Sequence, residues 1–165
     1  MYYEPRNLAT LANINKTVAE KARLALADLA SSKMEILFTA GLRSMEEQTR
    51  LWKQGRDANG KVIGKIVTNA KAGESYHNYG LALDFVPCQG SVLMWGVPFG
   101  PYAQVFKKYG FSWGGDWTGG FKDYPHVEYT FGLTIKDLLA GKRPPEPKPL
   151  PQRFIDRGIA RQKKA

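Results

Sequence analysis

The 165-residue sequence predicts one domain of mixed helices and strands, and three stretches carry that reading. Residues 7–31 place Leu8, Leu11, Ile14, Val18, Ala22, Leu26 and Leu29 three and four positions apart, the period of one amphipathic helix or two with a core-facing stripe. Glu35-Ile36-Leu37-Phe38-Thr39-Ala40 is a short apolar run ending at Gly41, as a buried strand does. Leu81-Ala82-Leu83-Asp84-Phe85-Val86 is a second strand, with Leu81, Leu83 and Phe85 on one face and Ala82, Asp84 and Val86 on the other. A chain of this length can bury a real core. Its 43% hydrophobic and 24% charged content is that of an ordinary soluble globular protein.

The remaining elements follow in order. Ser44-Met45-Glu46-Glu47 has the capping-box pattern, so a helix is expected from Ser44 to Gln54 with Gly55 closing it. Arg43 lies just outside that cap, at a strand-to-helix junction. Residues 55–74 are polar and contain four glycines, which suits a loop or hairpin framing a site. Residues 87–100 read as irregular, and Tyr102 to Tyr109 as a short helix with Tyr102, Val105, Phe106 and Tyr109 on one face. Phe111, Trp113, Trp117, Phe121 and Tyr124 form an aromatic cluster. Core and pocket wall account for most of it, since aromatics dominate small cores; a carbohydrate or base-stacking platform is the competing reading.

From Lys142 the composition changes, so residues 1–141 are read as the folded domain and 142–165 as a Pro-rich basic tail. The tail carries eight Lys/Arg against two Asp/Glu, whereas residues 1–141 carry sixteen against thirteen, so most of the net +9 belongs to the tail. Lys142 to Pro151 is expected as extended polyproline-like chain, followed by a short basic helix or disorder. Such a tail would attract anionic cell-envelope polymers; charge alone suggests nucleic acid, and no specific nucleic-acid binding is expected. No apolar run approaches the ~20 residues of a membrane span. Met1-Tyr2-Tyr3-Glu4-Pro5-Arg6 lacks a basic segment feeding an apolar one, so no signal peptide is expected. The single Cys88 excludes an internal disulfide and a cysteine-rich metal site, and it reads as a buried bystander thiol.

The chemistry gathers at Ser75-Tyr76-His77-Asn78-Tyr79-Gly80-Leu81-Ala82-Leu83-Asp84, which holds one of only two histidines. A carboxylate on a half-buried strand needs a cation, a donor set or a metal. Gly80 can take a positive φ that folds His77 back toward Asp84. The second histidine, His126, opens another strand-like stretch. Two His and one Asp, with room for a water, make the composition of a catalytic zinc site. Two acids stand near His126: Asp123, three residues before it, and Glu128, two after it on the same strand face.

Ser75-x-His77-x-x-Gly80-x-Ala82-x-Asp84 followed by Asp123-x-Pro125-His126 resembles the zinc peptidases that cut bacterial cell-wall peptides. That family spans D-alanyl-D-alanine carboxypeptidases, D-Ala-D-Ala dipeptidases and L-alanyl-D-glutamate endopeptidases. Gly41-Leu42-Arg43-Ser44 with Glu47-Gln48, Gln54-Gly55-Arg56, Thr68-Asn69-Ala70 and Gly114-Gly115-Asp116-Trp117 extend the resemblance over roughly residues 5 to 140, closest to the endopeptidase branch with its phage endolysins. The resemblance implies an α+β fold: a small antiparallel sheet carrying the zinc ligands, with helices packed on its outer face. It implies Zn2+ on His77, Asp84 and His126, Asp123 as acid/base, and Arg43 binding substrate and steadying the tetrahedral intermediate. Ser75 is implied as substrate-binding; Tyr79 is read as substrate-binding because it too flanks the first ligand, and Glu128 as orienting a ligand or packing the site.

The expected protein is a monomeric phage-type endolysin. It waits in the host cytoplasm until released, then cuts the L-Ala–D-Glu bond of the peptidoglycan stem peptide. The alternatives are a D-Ala-D-Ala carboxypeptidase using the same site, and a zinc-stabilised binding module like the related hedgehog domains. Loss of the acid or the arginine would favour the module, and this sequence keeps both Asp123 and Arg43.

Overall fold

The computed structural model describes residues 2–145. The readings of residues 146–165 as polyproline-like chain and basic helix lie outside the described residues, as does most of the tail assigned from 142. The helical stretch resolves into two helices, α1 (Glu4–Ala12) and α2 (Lys16–Ser31), with the Asn15 side chain accepting from the Thr17 and Val18 N–H groups at the start of α2. Strand β1 (Glu35–Ala40) follows, then α3 (Met45–Lys53). The cap of α3 is half a capping box: Ser44 Oγ accepts from the Glu47 N–H at 3.1 Å. Next come β2 (Ala82–Gln89), β3 (Val92–Leu93), α4 (Gly100–Lys107), β4 (Ser112–Trp113), β5 (His126–Glu128) and α5 (Ile135–Leu139).

The strands form one antiparallel sheet in the order β1-β2-β5-β4, with β3 paired to the end of β2. The α+β fold and small antiparallel sheet are therefore as expected. Leu83, Phe85 and Val127 are fully buried, and Phe85 stacks on Phe106 of α4 at 5.4 Å between ring centroids. That aromatic seam joins the sheet to its helices.

Three expectations need correction. Leu8, assigned to the core, is 42% exposed, and its neighbour Asn7 is buried instead. Asn7 Nδ2 donates to the Ile36 carbonyl at 2.9 Å, and its Oδ1 accepts from the Phe38 N–H at 2.8 Å. β1 is an edge strand whose backbone groups need partners, and an amide satisfies both signs at once. Residues 87–100 are not wholly irregular, because β2 runs through Pro87 to Gln89 and turns back into β3. Pro87 is tolerated because it falls in the gap between the residues of β2 that pair with β5 and those that pair with β3. The fourth helix starts at Gly100, with Pro101 in its first turn, and ends two residues before Tyr109.

Candidate metal centre and cleft

Three local devices bring the chemistry together. His77 sits in a 3-10 turn (Tyr76–Tyr79) that Gly80 closes in the left-handed region, at φ 65°. A Cβ on Gly80 would also stand 3.0 Å from the Asn15 backbone nitrogen and 3.2 Å from Ile14 Cα. Conformation and contact both demand glycine here. Gly80→Ala is thus expected to destabilise the protein by about 1–3 kcal/mol. A denaturant midpoint equal to wild type at equal slope would show that the turn relaxes freely.

The second device is strand register. Asp84 of β2 and His126 of β5 are direct cross-strand partners, so their side chains share one face of the sheet. Glu128, two residues along β5, shares that face and pairs with Ala82. The third device is an irregularity in the β1–β2 ladder between Phe38 and Ala40, which leaves Ala40 opposite Asp84 and delivers the chain to Gly41 and Arg43 beside the site.

The result is a cluster in which one ligand atom each from His77, Asp84 and His126 lies within 4.8 Å of the others. Asp84 Oδ1 is 3.2 Å from His77 Nε2 and 3.1 Å from His126 Nδ1. The far nitrogen of each ring is also engaged. His77 Nδ1 lies 2.8 Å from the Gly41 carbonyl, and His126 Nε2 lies 2.9 Å from Glu128 Oε2. A carbonyl can only accept, so Nδ1 of His77 carries the hydrogen. Such outer acceptors orient imidazole ligands and fix their tautomers. The donor set and its outer partners therefore fit a zinc ion, with Nε2 of His77, Nδ1 of His126 and the Asp84 carboxylate as the groups that would hold it.

Electrostatics reinforce the clustering. Burial alone would raise the Asp84 pKa, but its contacts with the His126 and His77 rings outweigh it and hold the carboxyl well below the usual carboxylate range. Burial pulls His126 down, yet Asp84 and Glu128 pull harder, and its pKa is pushed up to about 9. In the metal-free protein at neutral pH, His126 is thus protonated and donates to both carboxylates. A metal must displace that proton. Uptake at pH 7 is expected to release a proton, with affinity rising about tenfold per pH unit toward pH 9. Titration calorimetry in two buffers of different ionisation enthalpy measures the count, and a value of zero would contradict the arrangement.

The cluster lies in an open cleft of about 640 Å³ lined by Arg43, Ser75, Asp123 and Glu128 among others. Arg43 is fixed from three sides. Its N–H donates to the His77 carbonyl at 3.0 Å, and its own carbonyl accepts from Asn78 Nδ2 at 3.0 Å. Its Nη1 donates to Gln48 Oε1 at 2.9 Å, while Nη2 lies 3.7 Å from Asp84 Oδ2. Gln48 is fully buried, and its amide nitrogen also donates to the Ala70 carbonyl at 2.8 Å, tying the cleft loop to the arginine.

Asp123 is partly buried; burial, then the charge of Asp84, raises its pKa above the ordinary carboxylate value. Ser75 caps the 3-10 turn through the His77 N–H and lines the cleft. Tyr79 does not line it, contrary to expectation. Its hydroxyl donates to the Gly73 carbonyl at 2.9 Å, its ring packs against the core, and the Arg143 guanidinium lies 5.8 Å from its centroid. In a 3-10 turn, a residue two positions from His77 points away from it, so closeness in sequence misled.

Sequence reasoning gave no role to Gln48, Asn78 or the Gly41 carbonyl, while Ile66 and Val67 line the cleft from the loop expected to frame it. A buried glutamine on a polar helix leaves no periodic signal, and backbone acceptors leave none at all. The aromatic cluster divides: Phe111 is core, Trp117 and Phe121 line the cleft, and Phe121 and Tyr124 are largely exposed. Cys88 is buried with its thiol pushed up to about 11 by burial, consistent with an inert side chain.

A family model described as D-alanyl-D-alanine carboxypeptidase matches residues 68–129, the span from the cleft loop to β5. The chain is 39% identical over 128 residues to the peptidoglycan L-alanyl-D-glutamate endopeptidase CwlK of Bacillus subtilis (strain 168), covering 70% of this chain and 73% of that protein. It is 31% identical over 134 residues to the L-alanyl-D-glutamate peptidase of Listeria phage A118, 79% of this chain but 43% of that longer protein. Among solved structures, the L-Ala D-Glu endopeptidase ChiX of Serratia marcescens superposes with a TM-score of 0.57 at 25% identity, covering 76% of this chain and 87% of that one. The vancomycin resistance D,D-pentapeptidase VanY, solved with Zn(II), superposes at 0.56 and 17% identity, over 76% and 83%, a likeness of fold.

Proposed function

The chain belongs to the D-alanyl-D-alanine carboxypeptidase family of metallopeptidases, and from that premise we propose a zinc-dependent endopeptidase that cuts the L-Ala–D-Glu bond of the peptidoglycan stem peptide. The observation that carries it is the meeting of His77, Asp84 and His126 on the floor of a cleft that Arg43 and Asp123 also line. The choice of bond follows the relatives from Bacillus subtilis and Listeria phage A118.

Zinc held by the three ligands supplies Lewis acidity, polarising a carbonyl and making water acidic near neutral pH. Asp123, which lines the cleft beside the cluster, takes the proton of the attacking water and returns it to the leaving D-Glu amine. Arg43, pre-set by Gln48 and Asn78, donates to the oxygen on which charge develops. Glu128 holds His126 in its ligating orientation, and Ser75 offers its hydroxyl to the substrate at the rim.

The phage relative supports an endolysin role. We propose with it a monomer held in the host cytoplasm until the membrane opens, with the basic tail drawn to anionic envelope polymers. Purified diaminopimelate-type peptidoglycan, digested and read by mass spectrometry, tests the bond. New N-terminal D-Glu is the expected product. Free D-Ala would instead place the protein among the carboxypeptidases, and no product from the metal-loaded protein would leave a binding module.

A further inference from the structure

We propose that Trp117 and Phe121 form a sugar-binding platform at the cleft mouth, taking the N-acetylated amino sugar to which the stem peptide is attached. The proposal rests on the cell-wall reading above and adds that the glycan strand is part of the recognised substrate.

The platform is continuous with the site. The Trp117 ring lies 5.3 Å from that of His126, and Phe121 is stacked on Trp117 at 6.1 Å and 28°. Phe121 is 63% exposed and lines the cleft, so one face of the stacked pair is open to a ligand. Its approach is open, since a Cβ on Gly119 or Gly120 would meet nothing within 4 Å. Flat apolar rings of this kind suit the C–H faces of a pyranose, which offer apolar area and no charge.

Direction along the cleft assigns the occupant. Arg43 follows β1, Asp84 lies on β2, His126 on β5, and Trp117 follows β4, so the sheet order β1-β2-β5-β4 sets Arg43 and the aromatic pair on opposite sides of the cluster. The leaving half of the substrate begins with D-Glu and carries its carboxylates, which belong on the Arg43 side. The other half is L-Ala, joined through a lactyl group to the sugar. From the scissile carbonyl carbon to the sugar ring is six covalent bonds, roughly 7 Å of extended chain by backbone dimensions. Two ring steps of 5.3 and 6.1 Å from His126 cover that span.

The test compares two substrates that differ only in the sugar: N-acetylmuramyl-L-Ala-γ-D-Glu-diaminopimelate and its N-acetyl-L-Ala counterpart. Phe121→Ala is expected to lose about five- to tenfold in kcat/KM on the muramyl substrate, mostly through KM, and nothing on the acetyl one. Phe121→Tyr should keep wild-type behaviour. Equal loss on both substrates, or loss on neither, overturns the platform. A second readout is saturation-transfer NMR with the methyl glycoside of N-acetylmuramic acid, where the signal should appear with wild type and vanish with Phe121→Ala. If wild type cuts neither substrate, the bond assignment falls and this NMR comparison decides the platform alone: a signal lost in the variant upholds it, and one equal in both proteins, or absent from both, overturns it.

Discussion

Replacing Asp123 with Asn is expected to lower kcat by about 10²–10⁴-fold, the usual contribution of a positioned general acid/base, while metal content stays at the wild-type level. The variant keeps the shape and loses only the ability to carry a proton. Asp123 can be isolated in this way because its backbone is held independently of its carboxylate. Its N–H donates to the Gly114 carbonyl at 3.2 Å, and a Cβ on Gly114 would stand 2.3 Å from the Asp123 carbonyl oxygen, so only glycine admits this approach. On the other side, Trp113 Nε1 donates to the Tyr124 carbonyl at 2.8 Å. Because burial raises the carboxyl pKa in the metal-free protein, ionised Asp123 is a cost to that fold at neutral pH, and the metal-free Asn variant should melt no lower than metal-free wild type. In wild type, activity should fall as pH drops through the Asp123 pKa, because the proton acceptor is being filled. The residual activity of the variant should lack that acid limb. Wild-type turnover in the variant would remove Asp123 from the chemistry.

How much of this was legible beforehand differs between the two halves of the site. His77, Gly80 and Asp84 lie within eight residues, and local rules sufficed: a glycine able to take positive φ, then an apolar strand interrupted by one carboxylate. His126 is another matter. Its pairing opposite Asp84 is a register across 42 residues, which depends on the whole sheet, and only the order of motifs pointed to it. The supports of Arg43 were less legible still. They are a buried amide on α3 and an asparagine in a turn, polar residues whose spacing resembles any solvated surface. Asn7 shows the same limit from the other side: a hydropathy pattern ranks Leu8 above it, yet an edge strand needs an amide more than it needs a methyl group. Pro87 misled because proline argues against a central strand in general, whereas this one falls where neither neighbouring strand asks for its hydrogen.

The second large effect belongs to Asp84, which joins both histidines and the arginine of the cluster. It contacts His77, His126 and Arg43 together, at 3.2, 3.1 and 3.7 Å. Asp84→Ala is expected to abolish measurable metal binding and, with it, activity. Losing a ligand should cost more than the ~10–100-fold that loss of an outer partner costs. Wild type at a metal concentration 100 times Kd should gain about 2.7 kcal/mol of stability from the ion, seen as a rise in Tm, and the variant should show no rise. The metal-free proteins separate this from a folding defect. Without Asp84, His126 loses one of the two carboxylates it is hydrogen-bonded to and keeps Glu128, so its pKa should fall from about 9 toward its ordinary value. Its raised pKa stabilises the metal-free fold fully below about pH 6.5, and that contribution is lost as pH rises through about 9. Asp84→Ala should therefore flatten the decline in metal-free stability between those two pH values. A variant that still binds zinc with wild-type affinity, or whose metal-free stability keeps the wild-type pH dependence, would show that Asp84 is not the centre of the cluster.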